Sequence, residues 1–593
     1  MELKTYQKDV LKKISSYMKC LNDSTGIFSA WKKYWDEQDI SIGLDGVPAY
    51  KDTITGVPHV CAKVPTGGGK TYLGCAALKR IFDEMPTSKC KVVVWLVPSE
   101  PILNQTIKNL SDTNHPYRQK LEHDFAGRVG IYTKEMLLNG QNFSPDTVRE
   151  MLTVCILSYG SLRINNLNKD IRKVYQENGN LIRFAEYFKD KSVLLADTPD
   201  TALIQVLRSL SPVIIIDESH NAESELSIEM INNLNPSFIF DLTATPKNNS
   251  NIVSYVNARE LKKENMVKLP IIVYNRTSRQ SVIQDAIQLR GCIEKQAIEA
   301  EKKGGAYIRP IVLFQAQPNI NAESETFDKI KKMLIAIGIP ENEIAIKTSE
   351  IDDLKKVDLL SKDCDIRYII TVNALKEGWD CPFAYILASL ANKTSKVDVE
   401  QIVGRILRQP YAREHKAPLL NSSFVLTCSA DFHSTLENIV RGLNNAGFSK
   451  KDFRVGTLKL TECEDTISNG EQETKFEQQE LFCAQEDSIV LGEKDSFEDI
   501  ATDEIKNIIG EIKDDPEKSV ADMITTAEKQ AEEYNTSIAD ADLSAFIGGE
   551  LGEMLNQNNI QEQYRETIGD IKIPQFKIIS KQHRICLEMI LNC

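Results

Sequence analysis

The sequence predicts an α/β protein: two tandem domains, each built on a parallel sheet, then an acidic and mostly helical C-terminal region. Three observations predict it. Short β-branched runs alternate with segments of helical period. The alternation breaks near residue 262 and starts again. The charge balance then reverses beyond residue 455. The three segments read this way are 1–262, 263–455 and 456–593.

The first segment opens with MELKTYQKDVLKKI, an amphipathic helix rather than a basic-then-apolar leader. HVCAKV reads as a short strand. KVVVWLVP, TVCILSYG, PVIIIDE and FIFDLTATP read as buried parallel strands. Between them, TYLGCAALKRIFDEM and PILNQTIKNL carry helical period. The second segment begins with a long helix, SVIQDAIQLRGCIEKQAIEAEKK, stopped by Gly304 and Gly305. Strands follow at RPIVLFQAQ, IRYIITVNAL, AYILASL and SFVLTC. In the third segment DEIKNIIGEIK and SVADMITTAEKQAEEY read as helices behind an acidic connector, and IKIPQFKII as a strand. Removing everything after Arg454 is expected to leave a folded core.

At 593 residues the chain is too long for one core. A composition 42% hydrophobic and 26% charged is that of a globular protein, and no run of eighteen apolar residues suggests a membrane span. The 13 cysteines are scattered with no C-x-x-C pair, which argues against a structural zinc site or a disulfide framework. Reduced thiols and a cytoplasmic location are expected. The net charge of −14 is unevenly spread. Lys451 to Cys593 holds 14 Lys+Arg against 32 Asp+Glu, a balance of −18, so Met1–Lys450 carries +4. That front part remains open to phosphate-bearing partners.

The stretch AKVPTGGGKTYLG carries the chemistry. The usual phosphate-loop pattern has glycine where Val64 stands. The remaining PTGGGKT still suits phosphate, although a glycine turn is the plain alternative. Pro65, Thr66, Gly67, Gly68 and Gly69 form a loop whose backbone N–H groups can converge on phosphate oxygens at a helix N-terminus. Lys70 can reach the β- and γ-phosphates, and the Thr71 hydroxyl can ligate Mg²⁺. VIIIDESH supplies the acidic half. Asp217 at a strand end would hold Mg²⁺, and Glu218 would orient and deprotonate an attacking water. ATP and Mg²⁺ are the expected ligands.

PTGGGKT, DESH, TATP and QIVGRILRQP, in that order, resemble the motif set of superfamily 2 helicases and translocases of the DEAD/DEAH-box (DExH) kind. With VPSEPILNQT, LFQAQ and ITVNALKEGWDCP, the chain is similar to the helicase part of the type III restriction enzyme Res subunit, over roughly Leu3 to Arg454. The resemblance implies two RecA-like domains with ATP in the cleft between them. It implies that Gln7 reads the adenine edge, where a solvated helix glutamine is the alternative. His220 would link the ATP site to the nucleic-acid side, and Thr243 and Thr245 would couple hydrolysis to movement. Gln401, Arg405 and Arg408 fall on one helical face, so that two guanidiniums can meet a γ-phosphate. Gly378 and Asp380 would touch nucleotide and strand, and Trp379 suits core packing or base stacking. Candidate strand contacts are Pro98–Gln105, Tyr159–Arg163 and Thr371–Asn373.

The expected activity is nucleic-acid-dependent ATP hydrolysis, with DNA as the track and RNA left open. A restriction or antiphage motor is the first reading, with a methyltransferase or nuclease subunit as partner. A restriction subunit truncated before its nuclease, and an ATPase switch that unwinds little, are the alternatives. No nuclease is expected in this chain: in GEKDS, Glu493 and Lys494 are adjacent, the wrong spacing for a PD-(D/E)-x-K site.

Overall fold

The computed structural model describes residues 2–43, 46–85, 90–162, 173–187, 194–196, 198–217, 225–246, 250–276, 278–316, 325–348, 350–355, 357–372, 381–390, 406–428, 452–455, 517–539, 575–579 and 586–590. Two compact units emerge. One comprises Met1–Tyr34 with Tyr50–Ala541, and the other Trp35–Ala49 with Asp542–Cys593.

The first unit holds two seven-stranded sheets. The first contains β1 (His59–Lys63), β2 (Val92–Val97), β3 (Val129–Tyr132), β4 (Leu152–Ser158), β5 (Val213–Asp217), β6 (Phe238–Thr243) and β7 (Ile252–Tyr255). The second contains β8 (Ile271–Asn275), β9 (Ile311–Gln315), β10 (Ile344–Lys347), β11 (Tyr368–Thr371), β12 (Ala384–Ser389), β13 (Ser423–Thr427) and β14 (Phe453–Val455). Neighbouring strands run parallel throughout both. The spatial orders are β3-β4-β2-β5-β6-β1-β7 and β10-β11-β9-β12-β13-β8-β14. The second order is the first with every number raised by seven. The restart read in the sequence is therefore a repeated winding, not merely a second α/β segment.

Central strands are buried along their whole length, as a sheet covered on both faces requires. That is why VVVWLV, VIIID and FIFDLT were legible as strands. The helix Thr5–Asn22 buries Tyr6, Val10, Leu11, Ile14, Tyr17 and Met18, an i, i+4, i+7 stripe. The helix Arg279–Lys302 ends before Gly304, whose φ of +85° suits glycine. Among the described residues no helix is long and apolar enough to cross a membrane.

The helix expected at SVADMITTAEKQAEEY is present in the C-terminal segment, and it is not peripheral. The helix Glu517–Ala539 packs into the second α/β body: Met523, Ala527, Ala531 and Tyr534 are buried. Tyr274 Oη on β8 donates to the Met523 carbonyl at 3.0 Å, and Tyr534 Oη donates to Asp452 Oδ1 at 2.7 Å. A cut after Arg454 would strip this helix from β8 and leave Tyr274 without its partner, so the core is not expected to survive that truncation unharmed. In the second unit, β15 (Gln575–Ile579) pairs antiparallel with β16 (Cys586–Ile590), and β15 lies within the strand expected at IKIPQFKII. DEIKNIIGEIK lies outside the described residues.

Replacing Tyr534 by alanine should destabilise the protein by about 3–5 kcal/mol, the usual cost of removing a buried aromatic. Chemical denaturation of the full chain measures it. A loss below ~0.5 kcal/mol, the surface norm, would show that the helix carries no packing.

Candidate nucleotide-binding site

Strand register places the site. Lys63 at the end of β1 pairs with Thr243 on β6, and Leu242 pairs with Asp217 at the end of β5. Three functional segments therefore leave one edge of the sheet side by side, at the C-terminal ends of strands where α/β folds hold ligands. The loop after β1 is anchored by Val64 N–H donating to the Thr243 carbonyl at 2.9 Å.

The three glycines of the loop serve different needs. Gly67 and Gly69 have φ of +87° and +70°, where a side chain strains the backbone. Gly68 is constrained by space: a Cβ there would lie 2.5 Å from Val64 Cγ1. Gly69 leads into the helix Lys70–Asp83, whose N-terminus no side chain caps. First-turn N–H groups and the helix dipole thus face the loop, an arrangement that suits an anion. Thr71 Oγ1 donates to Asp217 Oδ2 at 3.0 Å, joining the two halves of the site across 146 residues of chain. Lys70 and Asp217 are both buried. Thr243 is buried beside them, and its Oγ1 accepts from Thr245 N–H at 3.2 Å. Glu218 and His220 lie outside the described residues.

Gln7 is fully buried beneath the loop. Its Nε2 donates to the Gly68 carbonyl at 3.2 Å, and its Oε1 accepts from Lys4 N–H at 3.0 Å. In this structure it holds the loop, and an adenine contact would require it to exchange those partners. Tyr6, which carried no assignment from sequence, donates its hydroxyl to the same carbonyl at 2.8 Å. Beside the first helical turn lies a cavity of about 510 Å³ lined by Leu3, Lys8, Tyr72, Gln119, Lys120 and His123 among others.

The second body approaches through the segment around Arg408. Val267, in the connection leading into β8, bridges Arg408 in antiparallel fashion, with Lys268 N–H donating to the Leu407 carbonyl at 2.6 Å and Gln409 N–H to Met266 at 3.0 Å. A Cβ on Gly67 would lie 3.2 Å from Val267 Cγ1 and 3.7 Å from Arg408 Cγ. The Arg408 side chain thus lies against the glycine loop at its Cγ. Gln401, Arg405, Gly378, Trp379 and Asp380 lie outside the described residues.

The candidate strand contacts fare differently. Pro98–Gln105 is mostly the first turns of the helix Glu100–Ser111, not a loop. Tyr159 and Thr371 are buried, so their side chains face the interior. Arg163 and Asn373 lie outside the described residues.

Lys262, at the edge of this junction, donates to the Asn421 carbonyl at 3.0 Å. Burial lowers its pKa to about 8, against a smaller opposing effect of Glu414. The charged form is disfavoured on folding, so the unfolded chain binds more protons above that value.

Residues 1–248 match the family model described as type III restriction enzyme, res subunit. This stretch, which carries β1 to β6 and both halves of the candidate phosphate site, is Res-like, in line with the motif order. The match covers less than half of the chain. Among solved structures, the chain aligns with the ATP-dependent Type ISP restriction-modification enzyme LlaBIII bound to DNA at 14% identity and TM-score 0.43, covering 77% of this chain and 31% of that one. It aligns with the DEAD-box helicase Mss116 bound to ssRNA and UDP-BeF at 13% identity and TM-score 0.37, covering 88% and 90%. It aligns with the Mycobacterium smegmatis helicase Lhr bound to ssDNA and AMP-PNP at 12% identity and TM-score 0.36, covering 71% and 50%. The chain thus spans under a third of the type ISP enzyme's length. No curated protein matches.

Two outcomes follow from the geometry. Gly68→Ala should lower the melting temperature by several degrees, since overpacking typically costs about 1–3 kcal/mol, and should weaken ATP binding with it. Calorimetry with and without ATP tests this, and an unchanged variant would refute the steric reading. Wild-type stability should gain a rising component between pH 8 and the ordinary lysine value of 10.5, absent from Lys262→Met. Parallel denaturation curves of both proteins across that range measure the difference.

Proposed function

We propose that this chain is an ATP-dependent helicase or translocase of superfamily 2 that moves on DNA, as the motor of a restriction or antiphage system. The observation that carries the reading is the Thr71–Asp217 hydrogen bond at an uncapped helix N-terminus, with Arg408 mounted against Gly67. A glycine turn alone would need neither the buried carboxylate nor the approach of the second body.

The donor set fits Mg²⁺. Thr71 Oγ1 and Asp217 Oδ2 are hard oxygen ligands from adjacent elements. When bound, the ion neutralises charge on the phosphates. Backbone N–H groups of Thr66, Gly67 and Gly69 wrap the β-phosphate, the Gly68 N–H being given to the Pro65 carbonyl at 3.0 Å, and Lys70 reaches the β- and γ-phosphates. Gln7 reads the base after releasing Gly68. Glu218 takes the proton of the attacking water. Arg405 and Arg408, with Gln401, stabilise the charge that develops on the transferred phosphoryl group.

Movement follows from which body holds which group. The phosphates rest on the first sheet and the arginines on the second, so ATP draws the two together and hydrolysis releases them. Thr243 at the end of β6, Thr245 just beyond it, and His220 pass the change to the nucleic-acid side. Gly378 and Asp380 contact both nucleotide and strand. Grip on the phosphate backbone makes the core indifferent to sequence. A methyltransferase or nuclease subunit would supply recognition and cleavage, in the cytoplasm.

ATP hydrolysis by the full chain should require Mg²⁺ and rise on addition of DNA. Lys70→Ala and Glu218→Gln should each abolish it, and Arg405→Ala or Arg408→Ala should lower kcat by about a thousandfold or more with the fold intact. A phosphate-release assay with single- and double-stranded DNA and RNA measures this. Turnover indifferent to every nucleic acid would remove the motor reading, and stimulation by RNA alone would replace the track.

A further inference from the structure

We infer that Lys4 and Tyr6 are positioning residues that tie the phosphate loop to the arginine-bearing segment of the second body. The inference rests on the ATP site proposed above and deepens it.

Tyr6 acts on the loop. Its hydroxyl and Gln7 Nε2 both donate to the Gly68 carbonyl, at 2.8 and 3.2 Å. A loop that presents N–H groups to phosphate must turn its carbonyls away, because an inward oxygen repels the anion. Two donors on one carbonyl hold that orientation. The Tyr6 hydroxyl stays protonated, since burial and then the nearby Glu264 and Glu260 push its pKa well above the ordinary value.

Lys4 acts on the other side, three residues before Gln7. Its Nζ donates to the Glu264 carbonyl at 3.0 Å and to the Ala412 carbonyl at 3.5 Å. The Glu264 carboxylate accepts from Thr5 N–H at 3.0 Å. Glu264 lies two residues before Met266, which pairs with Gln409. Ala412 lies four residues after Arg408. Tyr411 and Ala412 have φ of +58° and +48°, a conformation that non-glycine residues keep only where the surroundings impose it. The surroundings do impose it. Gln409 Nε2 is directed at the Arg413 and Leu420 carbonyls and at Asn421 Oδ1, and Tyr411 Oη donates to the Tyr307 carbonyl at 2.7 Å. Arg408 is thus held between the Val267 bridge on one side and a rigid turn gripped by Lys4 on the other. One turn of chain, Lys4 to Gln7, spans from the phosphate loop to the mount of the arginine.

The two residues should therefore separate kinetically. Lys4→Met keeps the stem and removes the donor. It should leave the Kd for a fluorescent ATP analogue within about twofold and lower kcat about tenfold, the scale of losing hydrogen bonds from a charged group that act in the transition state. Lys4→Arg should recover most of kcat. Tyr6→Phe should weaken the Kd about tenfold and leave kcat at saturation within about twofold. All are measured on the full chain with its stimulating nucleic acid, alongside melting temperatures. An unchanged kcat in Lys4→Met, an arginine no better than methionine, or losses that merely follow melting temperature would overturn the inference while the ATP reading stands. A wild-type chain that neither binds nor hydrolyses ATP would overturn both.

Discussion

The register of β5, β6 and β1 is the constraint on which the site depends. Parallel pairing sets Lys63 level with Thr243 and Asp217 level with Leu242, one residue earlier on β6, and each strand then releases a candidate segment at its C-terminal end. Because β5 and β6 insert between β1 and β2, the acidic strand end lies near the glycine loop although 146 residues separate Asp217 from Thr71. A slip of one residue along β6 would turn Thr243 to the other face and pull Asp217 off Thr71. Central strands buried on both faces resist such a slip, since every side chain along them is packed.

The same winding occurs twice, but the two bodies are not equivalent. The first carries a glycine loop and a carboxylate pair. The second carries, at the described positions, Arg408 just before a strained and heavily hydrogen-bonded turn at Tyr411 and Ala412. Strain of this kind costs about 1–3 kcal/mol per residue and persists only where neighbours over-determine it. It follows within four residues of Arg408, which lies against the glycine loop. The helix Glu517–Ala539 returns from the acidic region to close β8 of that body, so the second α/β body draws on chain well beyond the last motif.

What was legible and what was not divides along a physical line. The interior strands β2, β4, β5, β6, β9, β11, β12 and β13 show as apolar β-branched runs. All four edge strands, β3, β7, β10 and β14, went unread, and each is only three or four residues long. An edge strand pairs on one side only and needs no continuous apolar run, so VGIY and IVSY resemble ordinary loop text. β8 was hidden differently: IIVYN follows Pro270 at the very point where the chain changes domain.

By itself the sequence determined the α/β class, the two sheets, and the glycine loop with the acidic strand end that meets it, because burial on both faces and glycine-dependent backbone leave local marks. Only the tertiary structure decided that Gln7 and Tyr6 share one carbonyl, that Lys4 reaches Ala412 across 408 residues, and that Arg408 rests against Gly67. Those contacts join positions with no common period. Their partners are chosen by strand order and by the closure of one body on another, and neither is written in any short stretch of chain.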